Sequence, residues 1–136
     1  RQRQMCIRDS YNEQNIGGNS YYKENTEAYS SDIFRALNTE TLDKVVADKG
    51  WPHPQLIKLD VQGAECDILK GSPNVLESVG WLIVELQHTN YNEGALLAAD
   101  SIALIQSFGF ELIDERYASS DPGIDGDYLF RRKERI

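Results

Sequence analysis

The sequence predicts an α/β domain built on an open, mostly parallel sheet, and three features of its middle part support this. Leu56–Leu59 is a short, mostly apolar run whose length suits a strand buried on both faces. Apolar residues then recur at helical spacing up to Gly71. A second apolar run covers residues 81–88. Because a helix that joins parallel strands packs back onto the sheet as a crossover, the two runs are expected to be parallel neighbours.

The other elements are predicted from helix caps, glycine stops and short apolar runs. In chain order they are a strand at residues 33–37, a helix capped by Thr39 or Thr41 and ended by Gly50, a helix through residues 97–108, and closing strands at 110–114 and 127–133. Asp43 falls in the first turn of the earlier helix, where a carboxylate interacts favourably with the helix dipole. A structural role therefore explains Asp43 sufficiently.

Two stretches invite comparison with ligand-binding loops. Residues 15–20 are glycine-rich, but polar residues precede them and no helix start follows, so a nucleotide-binding loop is not expected. Acids recur at Asp121, Asp125 and Asp127, yet Gly123 stands where a calcium loop needs an oxygen ligand. Turns are predicted at both stretches.

Length and charge limit the classes of partner. The 136 residues suit one modest domain, and a net charge of -8 argues against nucleic acid, whose binding proteins concentrate lysine and arginine on one face. No apolar run approaches the ~20 residues that span a membrane. We expect a small-molecule substrate and neither nucleic acid nor membrane as partner, and the sequence leaves the oligomeric state unknown.

The two cysteines, Cys6 and Cys66, provide neither a disulfide framework nor the spacing of a metal site. A cytoplasmic location is therefore the expectation, and no metal is predicted. Residues 1–10 carry three arginines against one acid and show no periodicity, which indicates a non-native leader. Residues 11–136 are predicted to form a single domain.

Polar residues occupy the carboxyl ends of both central strands, where open parallel sheets bind their ligands. Asp60 follows the first strand, Glu85 lies within the second, and His88 ends it. Neighbouring strands lie ~4.8 Å apart, so these side chains should converge, although strand alternation directs His88 and Glu85 to opposite faces. All three are candidate catalytic residues, as general bases or as positioning groups.

Each candidate also has a structural interpretation. Asp60 could cap the following helix, a contribution of about 1 kcal/mol. Glu85 could be a buried carboxylate bonded to backbone amides, and His88 a surface histidine. Residues 89–94 form a polar loop beyond the second strand, for which substrate contact and plain solubility are both open.

Four short motifs follow one another in a characteristic order: TLD at residues 41–43, KLDVQGAE at 58–65, LKG at 69–71 and VELQH at 84–88. This order resembles the FkbM family of S-adenosylmethionine-dependent methyltransferases, and the resemblance extends from about residue 15 to residue 133. It implies the carboxyl-terminal half of a class I methyltransferase domain, a Rossmann-like sheet whose final strand inserts antiparallel. It further implies methylation of a hydroxyl group on a sugar or secondary metabolite.

Within this resemblance, Asp60, His88 and Glu85 are the predicted catalytic residues, and Glu65, Tyr91 and Asn92 the predicted substrate contacts. The acidic, glycine-rich loop that holds S-adenosylmethionine in the family matches no stretch here. The main cofactor site is therefore expected upstream, in a full-length parent of which this chain is a fragment that binds the cofactor weakly or not at all.

Two other classes compete with the methyltransferase interpretation. A receiver-type signalling domain would use a strand-terminal aspartate such as Asp60 to accept a phosphoryl group, but it also needs an acid pair after its first strand and a later lysine. Neither is evident in suitable order. A non-catalytic domain that keeps the fold without the chemistry is the third possibility.

Overall fold

The computed structural model describes residues 20, 22–25, 38–117 and 123–134. In chain order the described elements are β1 (Lys23–Glu24), α1 (Leu42–Lys49), β2 (Leu56–Leu59), α2 (Glu65–Lys70), α3 (Pro73–Leu76), β3 (Trp81–Gln87), β4 (Asn92–Glu93), α4 (Ala98–Ser107), β5 (Phe110–Tyr117) and β6 (Asp125–Arg132). Predictions for residues 1–10, 15–19 and 33–37 fall outside the described ranges.

Four strands form the main sheet in the order β2-β3-β6-β5. β2 and β3 are parallel, whereas β6 runs antiparallel to both of its neighbours. The α/β class and the antiparallel final strand are confirmed. The expected mostly parallel sheet is confirmed only in part. Three of the four strands point the same way, but because β6 lies between β3 and β5, a single ladder is parallel and the sheet is mixed.

The hydrophobic core lies on one face of this sheet. Side chains alternate along each strand, so every second residue of β3 faces the covering helices. The buried side chains at the centre of this core are Leu59, Leu82, Val84, Leu86, Ile105, Phe110, Tyr128 and Phe130. Lys58, Ile83 and Glu85 alternate with core residues and therefore belong to the opposite face.

The helix boundaries follow the predicted signals closely. The Thr41 hydroxyl caps α1 by accepting a hydrogen bond from the Lys44 amide at 3.2 Å, and Gly50 ends that helix with a left-handed φ of 61°. α2 ends at Gly71 as predicted. Pro73 follows closely and occupies the first turn of the short helix α3, a position where its missing N–H costs nothing.

Asp43 connects α1 to α3. Its carboxylate accepts hydrogen bonds from the backbone amides of Asn74 at 3.0 Å and Val75 at 2.8 Å, and from the Asn74 side chain at 2.9 Å. The Ser72 side chain, at the N-cap of α3, makes no capping bond. Asp43 therefore supplies from another helix the acceptor that α3 lacks locally, which gives this residue the structural role expected for it.

Among the described residues, no helix combines the length and the apolar character that a membrane crossing requires. Cys66 is buried on α2, as a small apolar residue would be.

Replacing Asp43 by alanine should lower the free energy of unfolding by about 1 to 2 kcal/mol, because the first amides of α3 lose their acceptor. Asp48→Ala is the matched control, since Asp48 lies on the same helix, is 57% exposed and pairs with Lys44 at the surface. Urea denaturation of the intact protein measures both. Equal losses for the two variants would contradict the bridging role of Asp43.

Candidate functional site

The site begins where β2 ends. Asp60 follows the last strand residue directly, and its side chain is 44% exposed. The register pairs Leu59 with Val84, so Asp60 lies beside Glu85, within hydrogen-bonding reach of it. Lys58 Nζ lies 3.3 Å from Asp60 Oδ2, and this hydrogen bond raises the pKa of the lysine. The structure thus brings Asp60 and Glu85 together, as the sequence predicted.

Glu85 is a carboxyl group with an unusual proton affinity. Desolvation of the half-buried side chain is the main cause, followed by the negative charges of Asp60, Asp125 and Asp127. Together they raise the pKa of Glu85 to about 7. The Gln62 side chain donates a hydrogen bond to Glu85 Oε2 at 3.0 Å and so favours the charged form. Glu85 can therefore gain and lose a proton near neutral pH.

A third carboxylate, that of Glu65, shapes the loop between β2 and α2. It is only 5% exposed, and its Oε1 accepts hydrogen bonds from the amides of Val61 at 3.0 Å and Gly63 at 3.1 Å. Burial raises the pKa of Glu65, and the two amide bonds act in the opposite direction. These contacts give Glu65 a loop-holding role, and its predicted contact with substrate stays a prediction.

The helix-cap interpretation of Asp60 is wrong. α2 begins only at Glu65, and its N-cap residue is Ala64. Four residues of loop separate Asp60 from the helix, so its carboxylate cannot serve the first amides of α2. Helix capping therefore does not explain the exposed Asp60 carboxylate beside Glu85.

A small two-stranded sheet covers this loop. β1 and β4 pair antiparallel, and the Ser20 hydroxyl donates to the Gln62 carbonyl at 2.5 Å. The Tyr22 hydroxyl donates to Asp67 on α2 at 2.6 Å. A Cβ atom on Gly63 would lie 2.8 Å from the Ala95 Cβ atom, which explains the glycine. The loop is therefore held from both sides.

His88 is directed to a different set of neighbours. Its Nε2 atom lies 2.7 Å from the Tyr128 hydroxyl, and the two rings meet edge to face. Its backbone amide donates to the Ile124 carbonyl at 2.7 Å. Tyr128 pairs with Val84 and belongs to the core, on the face of β3 opposite Glu85. Strand alternation thus separates His88 from the acid pair, as the sequence indicated.

The loop after β3 is less exposed than its polar sequence suggested. Asn92 is 1% exposed, and its side chain donates to Gln87 Oε1 at 3.3 Å. Gln87 Nε2 and Asn92 Oδ1 find no hydrogen-bond partner within the described part of the chain. Tyr91 is half-buried, and its carbonyl accepts from the Asn25 amide at 2.7 Å. The assignment of Tyr91 and Asn92 to substrate contact stays a prediction.

Sequence reasoning did not single out Gln62, nor did it place Asp125 and Asp127 near Glu85. The neighbouring Gly63 was a usable signal for an unusual backbone, whereas the β6 register depends on pairing across about forty residues of chain. No group of three or more histidine, cysteine or acidic side chains among the described residues is arranged to hold a metal ion.

Comparison with known proteins identifies the class of this domain as methyltransferase. The chain belongs to the FkbM methyltransferase domain family, whose model matches residues 6–112. This membership does not favour the receiver-type alternative.

Two curated relatives carry methyltransferase names. Hexuronic acid methyltransferase AglP of Haloferax volcanii is 35% identical over 71 residues, which cover 52% of this chain and 28% of that protein. 2-O-methyltransferase NoeI of Sinorhizobium fredii is 30% identical over 96 residues, or 71% of this chain and 37% of that protein. The chain thus spans well under half the length of these relatives.

Among solved structures, magnesium protoporphyrin IX methyltransferase (ChlM) from Synechocystis PCC 6803 superposes with a TM-score of 0.44 at 14% identity. The superposition covers 58% of this chain and 39% of that one. This likeness is too slight to bear on function.

Gly63→Ala should destabilise the protein more than Gly50→Ala does. Both glycines have positive φ, so each substitution strains the backbone by about 1 to 2 kcal/mol. A Cβ at position 50 meets nothing within 4 Å, whereas one at position 63 collides with Ala95 and should cost about 1 to 3 kcal/mol more. Thermal unfolding of the two variants measures the difference. Equal shifts would show that the loop is not tightly covered.

Glu85 should make stability depend on pH. Its folded-state pKa of about 7 exceeds the ordinary value of 4.5, so the folded state binds the proton more tightly than the unfolded chain. The stability contributed by Glu85 is therefore complete below pH 4.5 and is lost as pH rises through about 7. Glu85→Gln should remove this loss, and Glu77→Gln, at an exposed carboxylate, serves as control. Urea denaturation at several pH values between 4.5 and 7 measures how the free energy of unfolding changes with pH. If this pH dependence is the same in Glu85→Gln as in the wild type, the raised pKa of Glu85 is contradicted.

Proposed function

We propose that the protein containing this chain transfers a methyl group from S-adenosylmethionine to a hydroxyl group of a sugar or another small metabolite. Family membership supports the reaction class. The names of the two relatives, one a hexuronic acid methyltransferase and the other a 2-O-methyltransferase, support an oxygen acceptor on a sugar. The observation that carries the proposal is the acid pair formed by Asp60, directly after β2, and Glu85 on the neighbouring strand β3.

The proton of the acceptor hydroxyl is the chemical problem that this site can solve. When bound, S-adenosylmethionine supplies an electrophilic methyl group; a carbon–sulfur bond breaks as a carbon–oxygen bond forms. A neutral alcohol is a weak nucleophile, so a base must accept its proton at or near the transition state. Asp60 is exposed and can reach an acceptor, and Glu85 behind it can share the proton, because its pKa is about 7.

The described residues suit the sulfonium of the cofactor better than its nucleoside. A positively charged sulfonium would lie favourably near the negative charges of Asp60, Asp125 and Asp127. A glycine-rich loop between a strand and a helix, which would cradle the nucleoside, is missing from residues 38–117 and 123–134. We therefore assign these residues to the acceptor side and no residue to the nucleoside.

The remaining candidates receive supporting roles in this proposal. His88, paired with Tyr128 on the face of β3 opposite Glu85, is the second choice for the base, because an imidazole nitrogen can act as a general base. Asn92 lies against Gly63 in the loop that carries Asp60, and Tyr91 directly precedes Asn92; both would contact the substrate, whereas Glu65 would act on it through the loop.

Asp60→Asn in the intact protein should lower turnover by about 10²-fold or more, because the amide cannot accept the hydroxyl proton. Affinity for S-adenosylmethionine should fall far less than turnover, because Asp125 and Asp127 keep their negative charges. Methyl transfer from radiolabelled cofactor to candidate sugars measures turnover, and calorimetry measures cofactor binding. Asp48→Asn, at an exposed aspartate on α1, is the control. Intact turnover together with a lower melting temperature would show that Asp60 is structural.

A further inference from the structure

Gln62 has a backbone conformation that glutamine rarely adopts. Its φ is 55°, and it is the one non-glycine residue with positive φ within the described part of the chain. The left-handed region is unfavourable for every residue that has a Cβ atom, because this atom approaches the following carbonyl. Such a conformation persists where neighbouring contacts impose it, and those contacts then also determine where the side chain points.

Contacts on both sides of Gln62 impose this conformation. The Ser20 hydroxyl donates to the Gln62 carbonyl at 2.5 Å. Glu65 Oε1 accepts the amides of the residues immediately before and after Gln62, at 3.0 Å and 3.1 Å. Gly63 packs against Ala95 with no room for a Cβ atom. The backbone is thus fixed from three directions, and the side chain is carried toward β3.

The side chain reaches Glu85, where its Nε2 donates to Oε2 at 3.0 Å. Glu85 is otherwise faced by charged groups from two strands: Asp60 and Lys58 at the end of β2, and Asp125 and Asp127 on β6. Three of these four groups are acids, and Lys58 directs its ammonium to Asp60. Gln62 is therefore the neutral donor that offsets the surrounding negative charge when Glu85 ionises.

We propose that Gln62 is a positioning residue, which holds the Glu85 carboxylate beside Asp60 and stabilises its ionised form so that the pair can accept a proton from the acceptor hydroxyl. This role rests on the proposed function. This role explains why a strained glutamine occupies position 62. A glycine would adopt the same backbone without strain and preserve the loop between β2 and α2, but it would lack the side-chain amide that donates to Glu85.

The direct test is the titration of Glu85 in the intact protein, followed by carboxyl ¹³C NMR without cofactor or acceptor. The Glu85 signal is assigned by its disappearance in Glu85→Gln. Gln62→Met removes the donor at similar size and should raise the titration midpoint of Glu85 by about one pH unit. Gln106→Met, at an exposed glutamine on α4, should leave the midpoint unchanged.

Gln62→Gly separates positioning from structure. Glycine accepts the left-handed backbone, so this variant should melt no lower than the wild type, yet it should raise the Glu85 midpoint as Gln62→Met does. It also keeps the test decisive if Gln62→Met fails to fold. In both variants the acidic limb of the pH–rate profile for methyl transfer should move upward in parallel with the midpoint.

The outcomes are distinguishable. An unchanged Glu85 midpoint in Gln62→Gly, or a midpoint that moves while the pH–rate profile does not, overturns the positioning role and leaves methyl transfer standing. Absence of methyl transfer by the wild-type protein to any hydroxyl acceptor overturns the proposed function, and the role of Gln62 in catalysis with it.

Discussion

The parallel pairing of β2 with β3 is the interaction on which the rest of the site depends. Its register sets Leu59 against Val84 and so places the first residue beyond β2, Asp60, next to Glu85. A shift by one residue would turn every side chain of β2 to the other face and bury Lys58 in the core. The same register buries Ile57 and Leu59, so the core and the acid pair are determined together.

The family motif combines structural and exposed acids in a short length of chain. The Asp43 carboxylate accepts hydrogen bonds from backbone amides of α3, and the Glu65 carboxylate accepts them from amides of the loop after β2. Asp60 is exposed and has a second acid as its neighbour. Carboxylates thus have either a structural role or an exposed position at the site. The difference depends on whether an unpaired backbone amide lies within hydrogen-bonding distance.

Local signals predicted the strands at residues 56–59 and 81–88 and the helix ends at Gly50 and Gly71, because the apolar period, helix caps and glycine stops act over a few residues. The second strand ends one residue earlier than predicted, at Gln87. Long-range features were less accessible. The proximity of Asp125 and Asp127 to Glu85 follows from the β6 register. The left-handed backbone of Gln62 is imposed by contacts from Ser20, which precedes β1, and from Glu65 of α2. The site was therefore predictable in its acid pair and not in the groups that tune it.

The insertion of β6 between β3 and β5 also has a consequence for the order of folding. β3 and β5 precede β6 in the chain, but within the described part of the sheet they share no ladder, and each pairs with β6. During synthesis the chain emerges from its amino end, so one edge of β3 stays unpaired until residues 125–132 have left the ribosome. The sheet therefore closes late and through contacts distant in sequence, an arrangement that slows folding and exposes an open edge to other chains in the meantime.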